Sequence, residues 1–418
     1  MTDIKTYDAI IIGAGHSGLV SSFYLKTQGI NHCILEQSTV ASSWLTRTWD
    51  SFNLVTPNWM NQLPGLPSGD VAGDQFLTKD QYIKYLRVYQ KKFDLPVIEH
   101  VEVKLVDYDF EKNCYLVTTN STCFRANNVI VATSSFNDPF IPAFSKNIKP
   151  NIKQLHSSQY QNPKQISPGA ILVVGGGQSG VQISEELLNA GKKVYLSVSK
   201  VGRVPRRYRN KDITEWIYNL KEYETVTPSL EQLNGKFPNN PNISKVLGNV
   251  YLDLYDLVHR GLILLGSVAS AANNKLQFRD NIAECLDYSE QTLQDRMQKI
   301  DKVLGFSNNT PAKKSILVPS PEEIDLDNLN ITTVIWATGF RFNFKFINIP
   351  VFDSYGFPIT DNGVTKFPGL YFVGLKGSHK LKTGLIFGTQ EQAQNVVDHL
   401  HKNRKQNKIE TQRLKARL

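Results

Sequence analysis

Short apolar runs recur along the chain, each followed by a glycine-rich break and then by a stretch with helical spacing. Tyr7-Asp8-Ala9-Ile10-Ile11-Ile12 reads as a buried strand, Leu19 to Gln28 as a helix, and "HCILE" at 32–36 as a second strand. The same order returns in the middle of the chain. Ala170 to Val174 predicts a strand, Val181 to Asn189 a helix with Gly191 as its stop, and Lys193 to Val198 another strand. The pattern predicts an α/β fold with two Rossmann-like dinucleotide-binding units.

The breaks carry the chemistry. In "IIIGAGHSGLV", residues 10–20, Gly13 permits a tight turn, Gly15 lets the backbone approach a pyrophosphate and Gly18 allows close helix packing. The helix N-terminus supplies N–H donors to the anion, and Glu36 ends the following strand where a carboxylate accepts hydrogen bonds from a ribose. His16 is expected to be structural or at the edge of the site. The second break, "VVGGGQSGVQISEEL" at 173–187, repeats the glycines as Gly175, Gly177 and Gly180, with Gln178 and Ser179 opening the helix. No acid closes its second strand. "SVSKVGRVPRRYR" instead offers Ser199, Lys200, Arg203, Arg206, Arg207 and Arg209, a cluster suited to a 2′-phosphate and so to NADPH over NADH. A solvated basic loop is the plain alternative. Two different dinucleotides in one chain suggest a flavin and the nicotinamide that reduces it.

With 418 residues, 41% hydrophobic and 20% charged, the chain has ample material for buried cores. The strongly apolar "GLILLGSVASAA", 261–272, is too short to cross a bilayer, and the first strand begins too early for a signal peptide. A cytoplasmic location without a transmembrane segment is the expectation. Net charge is +9, but from His401 to Leu418 seven Lys or Arg face one acid, so 7 − 1 = +6 of it lies in the tail. A solvated tail is expected there, and no nucleic-acid partner. Cys33, Cys114, Cys123 and Cys285 are scattered, with neither zinc spacing nor the close pair a disulfide reductase needs.

Further segments resemble the class B flavoprotein monooxygenases, which include flavin-containing, YUCCA-type and Baeyer-Villiger enzymes. "ASSW", ending at Trp44, is similar to their Gly-Gly-x-Trp element with both glycines replaced. "WDSFNLVTPNWMNQLPG" at 49–65 and "FLTKDQYIKYLRVY" at 76–89 look like their flavin-side segment and its following helix. "VIVATSSFNDPFIP", 129–142, is similar to a chain-crossing A-T-G segment, Ser134 standing where glycine is usual; "IWATGF" at 335–340 looks like a second. "GLYFVGL" at 369–375 and "TGLIFGTQEQAQNVVDHL" resemble the closing strand and helix. The fingerprint F-x-G-x-x-x-H-x-x-x-Y/F is half present, with His156 and Tyr160 kept and Pro150 and Ile152 in the Phe and Gly places. A closer likeness, through "WDSFNLVTPNW" and "RVPRRYR", is to bacterial flavin-dependent oxidoreductases.

The resemblance implies FAD held by Gly13, Gly15, Ser17, Gly18, Glu36, Gln37, Trp44, Val103, Thr133, Gly374 and Leu385. It implies NADPH at Gly175, Gly177, Gln178, Ser179, Gly180, Ser199, Lys200, Arg203 and Thr338. The FAD-binding domain is expected at 1–147 and 340–400, and an NADPH-binding domain at 165–337 is inserted in it with a helical insertion at about 211–325; 401–418 is a basic tail. The insertion is open to three readings: a lid, a homo-oligomer contact or a packing layer. The implied chemistry is reduction of FAD by NADPH, then oxygenation of a small-molecule substrate by O2 through a C4a-(hydro)peroxyflavin, at nitrogen, sulfur or a carbonyl carbon. An NADPH oxidase or reductase without oxygenation is the alternative. Matching of Trp49-Asp50-Ser51-Phe52 puts Val55 where flavin-containing monooxygenases have an Asn near the flavin. Alternation in an extended segment makes Asn53 its expected substitute, and His156 is either linker packing or a coupling residue.

Overall fold

Strand Lys5–Ile12 is a continuous apolar run because both of its faces are covered. Ala9 and Ile11 face one buried cluster, Ile10 and Ile12 another. The computed structural model describes residues 4–67, 73–243, 245–247, 250–252, 254–306, 319 and 321–415, with backbone alone for 245–247, 250–252 and 405–415. The far end of the expected basic tail, Arg417 included, lies outside the described residues, as does 307–318 of the expected insertion.

Strand Lys5–Ile12 is central in a nine-stranded sheet. It pairs in parallel with His32–Leu35 and Cys123–Val131; Leu370–Phe372 joins Cys123–Val131, also in parallel. The antiparallel hairpin Val103–Asp109 and Cys114–Thr119 hangs from Cys123–Val131. A five-stranded parallel sheet runs Ile263–Leu265, Val194–Ser197, Ala170–Val174, Ile331–Trp336, Lys153–His156. Its central strand Ala170–Val174 again divides, Ile171 and Val173 facing one cluster and Leu172 and Val174 the other. The chain leaves the first sheet after Val131 and returns at Thr360.

Two expectations are corrected. Lys153–His156 is an edge strand of the second sheet, so that unit starts before residue 165. The stretch 211–325 is not chiefly helical. Besides helix Ile282–Leu304 it supplies the sheet strand Ile263–Leu265 and the antiparallel Val268–Ala272, Lys275–Phe278 and Glu323–Asp325, drawn in part from the apolar run at 261–272. The tail is helical through Lys415, continuing helix Ile386–Lys415, and Arg404 pairs with Asp8 at 2.7 Å. Among the described residues no helix is long and apolar enough to cross a membrane.

Candidate cofactor cavity and the second glycine turn

The two glycine turns are built alike. Gly13 and Gly175 take φ of +103° and +123°, which an L side chain rarely adopts. A Cβ on Gly18 would lie 1.9 Å from the Gly13 carbonyl oxygen, and one on Gly180 the same distance from that of Gly175. Each helix is thereby seated directly on its strand. Gly15 and Gly177 cap helices His16–Thr27 and Gln178–Asn189 with nothing within 4 Å of the missing side chain.

The first turn opens into a cavity of about 960 Å³. Gly13, Gly15, Ser17, Glu36, Gln37, Trp44, Val103, Thr133, Gly374 and Leu385 line it; Gly18 lies beneath, in the helix contact. Glu36 is buried and oriented by its own turn. Ala14 N–H donates to its Oε2 at 2.8 Å, and Ser38 N–H and the Ser42 hydroxyl donate to Oε1 at 3.0 and 3.2 Å. Trp44 stands on the short helix Ser42–Thr46, edge-on to Tyr82 at 5.0 Å. Thr133 Oγ1 and His16 Nε2 are buried without a protein partner, two polar atoms of the lining available to a ligand. Burial lowers the His16 pKa to about 4, so its ring is neutral at pH 7.

Asn53 does not join this lining. It is exposed and bridged to Thr78, while Leu54, Val55 and Thr56 all reach the cavity in succession. The segment bends at 55–56, so the two-residue alternation that paired Asn53 with Val55 fails. His156 is buried at the crossing between the sheets. Ser158 N–H donates to Nδ1 at 3.1 Å, which leaves Nε2 as the donor to the Gly339 carbonyl at 2.9 Å. Burial, with the charge of Arg47 beside it, lowers its pKa against the opposing Gly339 bond. With both nitrogens engaged and the ring edge-on to Phe340 at 4.9 Å, His156 ties the two crossing segments together. The Thr338 hydroxyl likewise donates to Phe140 O across the same junction, not toward a coenzyme.

The basic run is also corrected. Arg203 is buried against Glu290 and lies over Tyr255; Arg206 pairs with Asp212 at 3.2 Å; Arg209 pairs with Asp301 at 2.9 Å. Lys200 is exposed and pairs with Glu284, beside exposed Ser199. Arg206 in addition donates through both Nη atoms to Val55 O, at 2.8 and 2.9 Å, fastening a wall of the large cavity. The recess by the second turn, lined by Gly176, Gln178, Ser199 and Arg203, measures only about 50 Å³. The segment Asn242–Ile243 lies across it: Ile243 N–H donates to Gln178 Oε1 at 2.8 Å and the Asn242 side-chain Nδ2 to Gly176 O at 2.8 Å. Ser179 instead opens on the large cavity.

Sequence reasoning missed the cover of that cavity, in which Thr227, Pro228 and Phe237 to Pro241 come from the insertion. The run "FPNNPN" at 237–242 was a legible loop signal. Arg47 and Lys376, both in the lining, were missed as well.

The pattern of the family described as pyridine nucleotide-disulphide oxidoreductase matches residues 10–230. An uncharacterised CzcO-like oxidoreductase of Geobacillus kaustophilus is 32% identical over 94% of this chain and 98% of that protein. The probable indole-3-pyruvate monooxygenase YUCCA1 of Arabidopsis thaliana is 25% identical over 89% of this chain and 85% of its own. The fold is shared with a flavin-containing monooxygenase from Stenotrophomonas maltophilia, at 18% identity, a TM-score of 0.67, and coverage of 95% and 98%. The chain thus belongs to the pyridine nucleotide-disulphide oxidoreductase family, among its CzcO-like oxidoreductases and class B flavoprotein monooxygenases.

Proposed function

We propose that this chain is an NADPH-consuming, FAD-dependent monooxygenase acting on a small organic molecule in the large cavity. The observation that carries the reading is the cavity itself, bounded by Glu36 and Gln37, crossed by the first turn, and continuing to Leu385 and Ile386 with Ser179 of the second turn on its wall. The residues fit FAD: Glu36 for the ribose, the amides at Gly15 to Ser17 for the pyrophosphate, and Thr133 Oγ1 and His16 Nε2 as polar atoms in want of a partner. When bound, FAD supplies hydride acceptance and oxygen activation. The chain's part is to hold the ring, admit the substrate and exclude water. Phe52, Leu54, Val55, Phe136, Phe237 and Phe340 give it apolar walls for that. No cysteine lines the cavity, which speaks against disulfide reduction.

The nicotinamide coenzyme has less room. Its family turn is intact, but Asn242 and Ile243 occupy the recess beside Gln178, so that segment must leave for an adenosine phosphate to enter. The test is anaerobic addition of NADPH to the FAD-loaded protein, then mixing with oxygen in the presence and absence of candidate substrates. Bleaching by NADPH, and oxygen transferred to an organic product, are expected; a flavin that NADPH leaves oxidised would overturn the reading. An NADPH oxidase is the second reading, favoured by Val55 in the lining where the family resemblance expects an amide side chain and by Asn53 outside it. One peroxide per NADPH, whatever the added substrate, decides for that.

A further inference from the structure

One short segment closes both halves of the site. Phe237 to Pro241 line the large cavity, and the next two residues, Asn242 and Ile243, line the recess at the second glycine turn. Its first end is held on the unit that carries the first turn. Phe237 is buried in a core cluster of the nine-stranded sheet, edge-on to Phe357 at 5.2 Å, and a Cβ on Gly377 would lie 2.3 Å from its ring. The Pro238 carbonyl accepts from Lys376 Nζ at 2.9 Å. Further back, Thr227 N–H donates to His379 O at 2.7 Å.

Its second end is held on the other unit. Asn242 N–H donates to Gly202 O at 2.7 Å, beside the parallel pairing of Asn242–Ile243 with Arg203–Val204. The Gln178 carboxamide clasps the Ile243 main chain: Ile243 N–H donates to its Oε1 at 2.8 Å, and its Nε2 donates to Ile243 O at 3.2 Å. Gln178 opens the helix whose N-terminus a coenzyme phosphate would need. The hold is incomplete, because Asn242 Oδ1 is buried without a partner while Nδ2 donates to Gly176 O. A buried acceptor left unpaired costs free energy, which makes the closed position easier to leave. The two closures are also joined covalently. Pro241 is cavity lining and is bonded to Asn242, with a ring that fixes φ at the join. Asn242 and Ile243 cannot leave the recess without disturbing the wall of the cavity.

We propose that residues 237–243 are a strap that closes the coenzyme recess and the large cavity together, and that the adenosine phosphate end of the coenzyme opens the cavity by displacing it. Binding is then ordered, coenzyme first and substrate second. This rests on the reading of the second turn as a coenzyme site, not on the oxygenation chemistry. Adenosine 2′,5′-bisphosphate is the probe, since it carries the adenosine end and lacks the nicotinamide that would cover a flavin. Added to the FAD-loaded protein, it should cost the Asn242 and Ile243 amides their protection against hydrogen exchange and increase quenching of the flavin fluorescence by acrylamide. Ile243→Pro, which removes the N–H given to Gln178, should bind the probe roughly two- to tenfold more tightly in calorimetry, and its flavin should be quenched more readily before any probe is added. A bound probe that leaves the two amides protected, or leaves the quenching unchanged, would overturn the proposal and spare the coenzyme reading. Weaker binding by a folded Ile243→Pro protein would overturn it too, making Ile243 a coenzyme contact. No binding by either the wild type or the variant would sink the coenzyme reading and the strap with it.

Discussion

Replacing Arg203 separates a structural charge from a coenzyme-reading one. Its side chain is 9% exposed and that of Glu290 opposite 1%, and the guanidinium lies over the Tyr255 ring at 5.1 Å. Without Arg203, Glu290 keeps the Gln294 amide at 3.1 Å as its other partner among the described residues. Removing one member of a buried pair costs about 3–5 kcal/mol, whereas replacing both with apolar groups of similar volume is often close to neutral. Arg203→Met is therefore expected to lower unfolding stability by roughly 3 kcal/mol, and Glu290→Leu added to it should recover most of that. Urea unfolding followed by tryptophan fluorescence measures the cycle. Steady-state kinetics of the same variants with NADPH and NADH supplies the second arm. The buried pair predicts KM changes of similar size for both coenzymes; a 2′-phosphate contact predicts a rise of roughly tenfold or more for NADPH alone. Unchanged stability together with selective loss of NADPH would refute the placement of Arg203.

Lys200, an exposed member of the run like Arg207, is free to exchange Glu284 for a phosphate; Lys200→Ala should raise the KM for NADPH more than that for NADH, and added salt should shrink the difference. Ala41 and Ser134 take φ of +64° and +69°; relief of about 1–2 kcal/mol of left-handed strain, less about 0.4–1 for the freer unfolded chain, predicts that Ala41→Gly and Ser134→Gly each leave stability unchanged or raised by up to about 1.5 kcal/mol in urea unfolding. The His16 pKa is lowered to about 4 by burial, so the unfolded chain binds the extra proton first as pH falls. Its contribution is full above pH ~6.5 and is lost between there and about 4, roughly 3 kcal/mol in all; His16→Gln should flatten that part of a stability-against-pH curve measured without added FAD.

What the sequence made legible was local. Each glycine turn is written in one contiguous segment, and Glu36 follows at the end of the next strand. Ala41 and Ser134 stand where the family resemblance expects glycine, and the backbone still takes the left-handed conformation there. The basic run misled for a long-range reason. Three of its acids, Glu284, Glu290 and Asp301, come from one helix, Ile282–Leu304, some 80 to 90 residues further on, while Asp212, the partner of Arg206, is near in sequence. Nothing between 199 and 209 records that meeting. Asn53 failed because alternation presumes an extended segment, and this one bends. The half-present fingerprint left His156 open, and only its two partners, at Ser158 and Gly339, resolve the ring into a tie between segments.

Arg206 couples the two halves of the site. Both Nη atoms hold Val55 O, Asp212 and the Phe76 ring at 4.5 Å fix the guanidinium, and Val55 is a wall of the large cavity. Two residues before it, Arg203–Val204 pairs with Asn242–Ile243, the segment that covers the second turn. The same wall is tied to the second unit at Asp50 N–H to Gln161 O, 2.8 Å, and at the Ser51 hydroxyl to Glu186, 2.7 Å. Displacing Asn242–Ile243 to admit a coenzyme therefore pulls on the strand that leads to Arg206 and so on Val55. Loss of a charged donor to a carbonyl is worth about 1.5–3 kcal/mol, which sets the expectation for Arg206→Met: weaker FAD binding by roughly 10- to 150-fold if the whole wall loosens, and less if Asp50 and Ser51 hold it. The dissociation constant, measured by flavin fluorescence on protein whose circular dichroism is unchanged, decides the matter. Unaltered FAD affinity in a folded Arg206→Met protein would show that the wall stands without it.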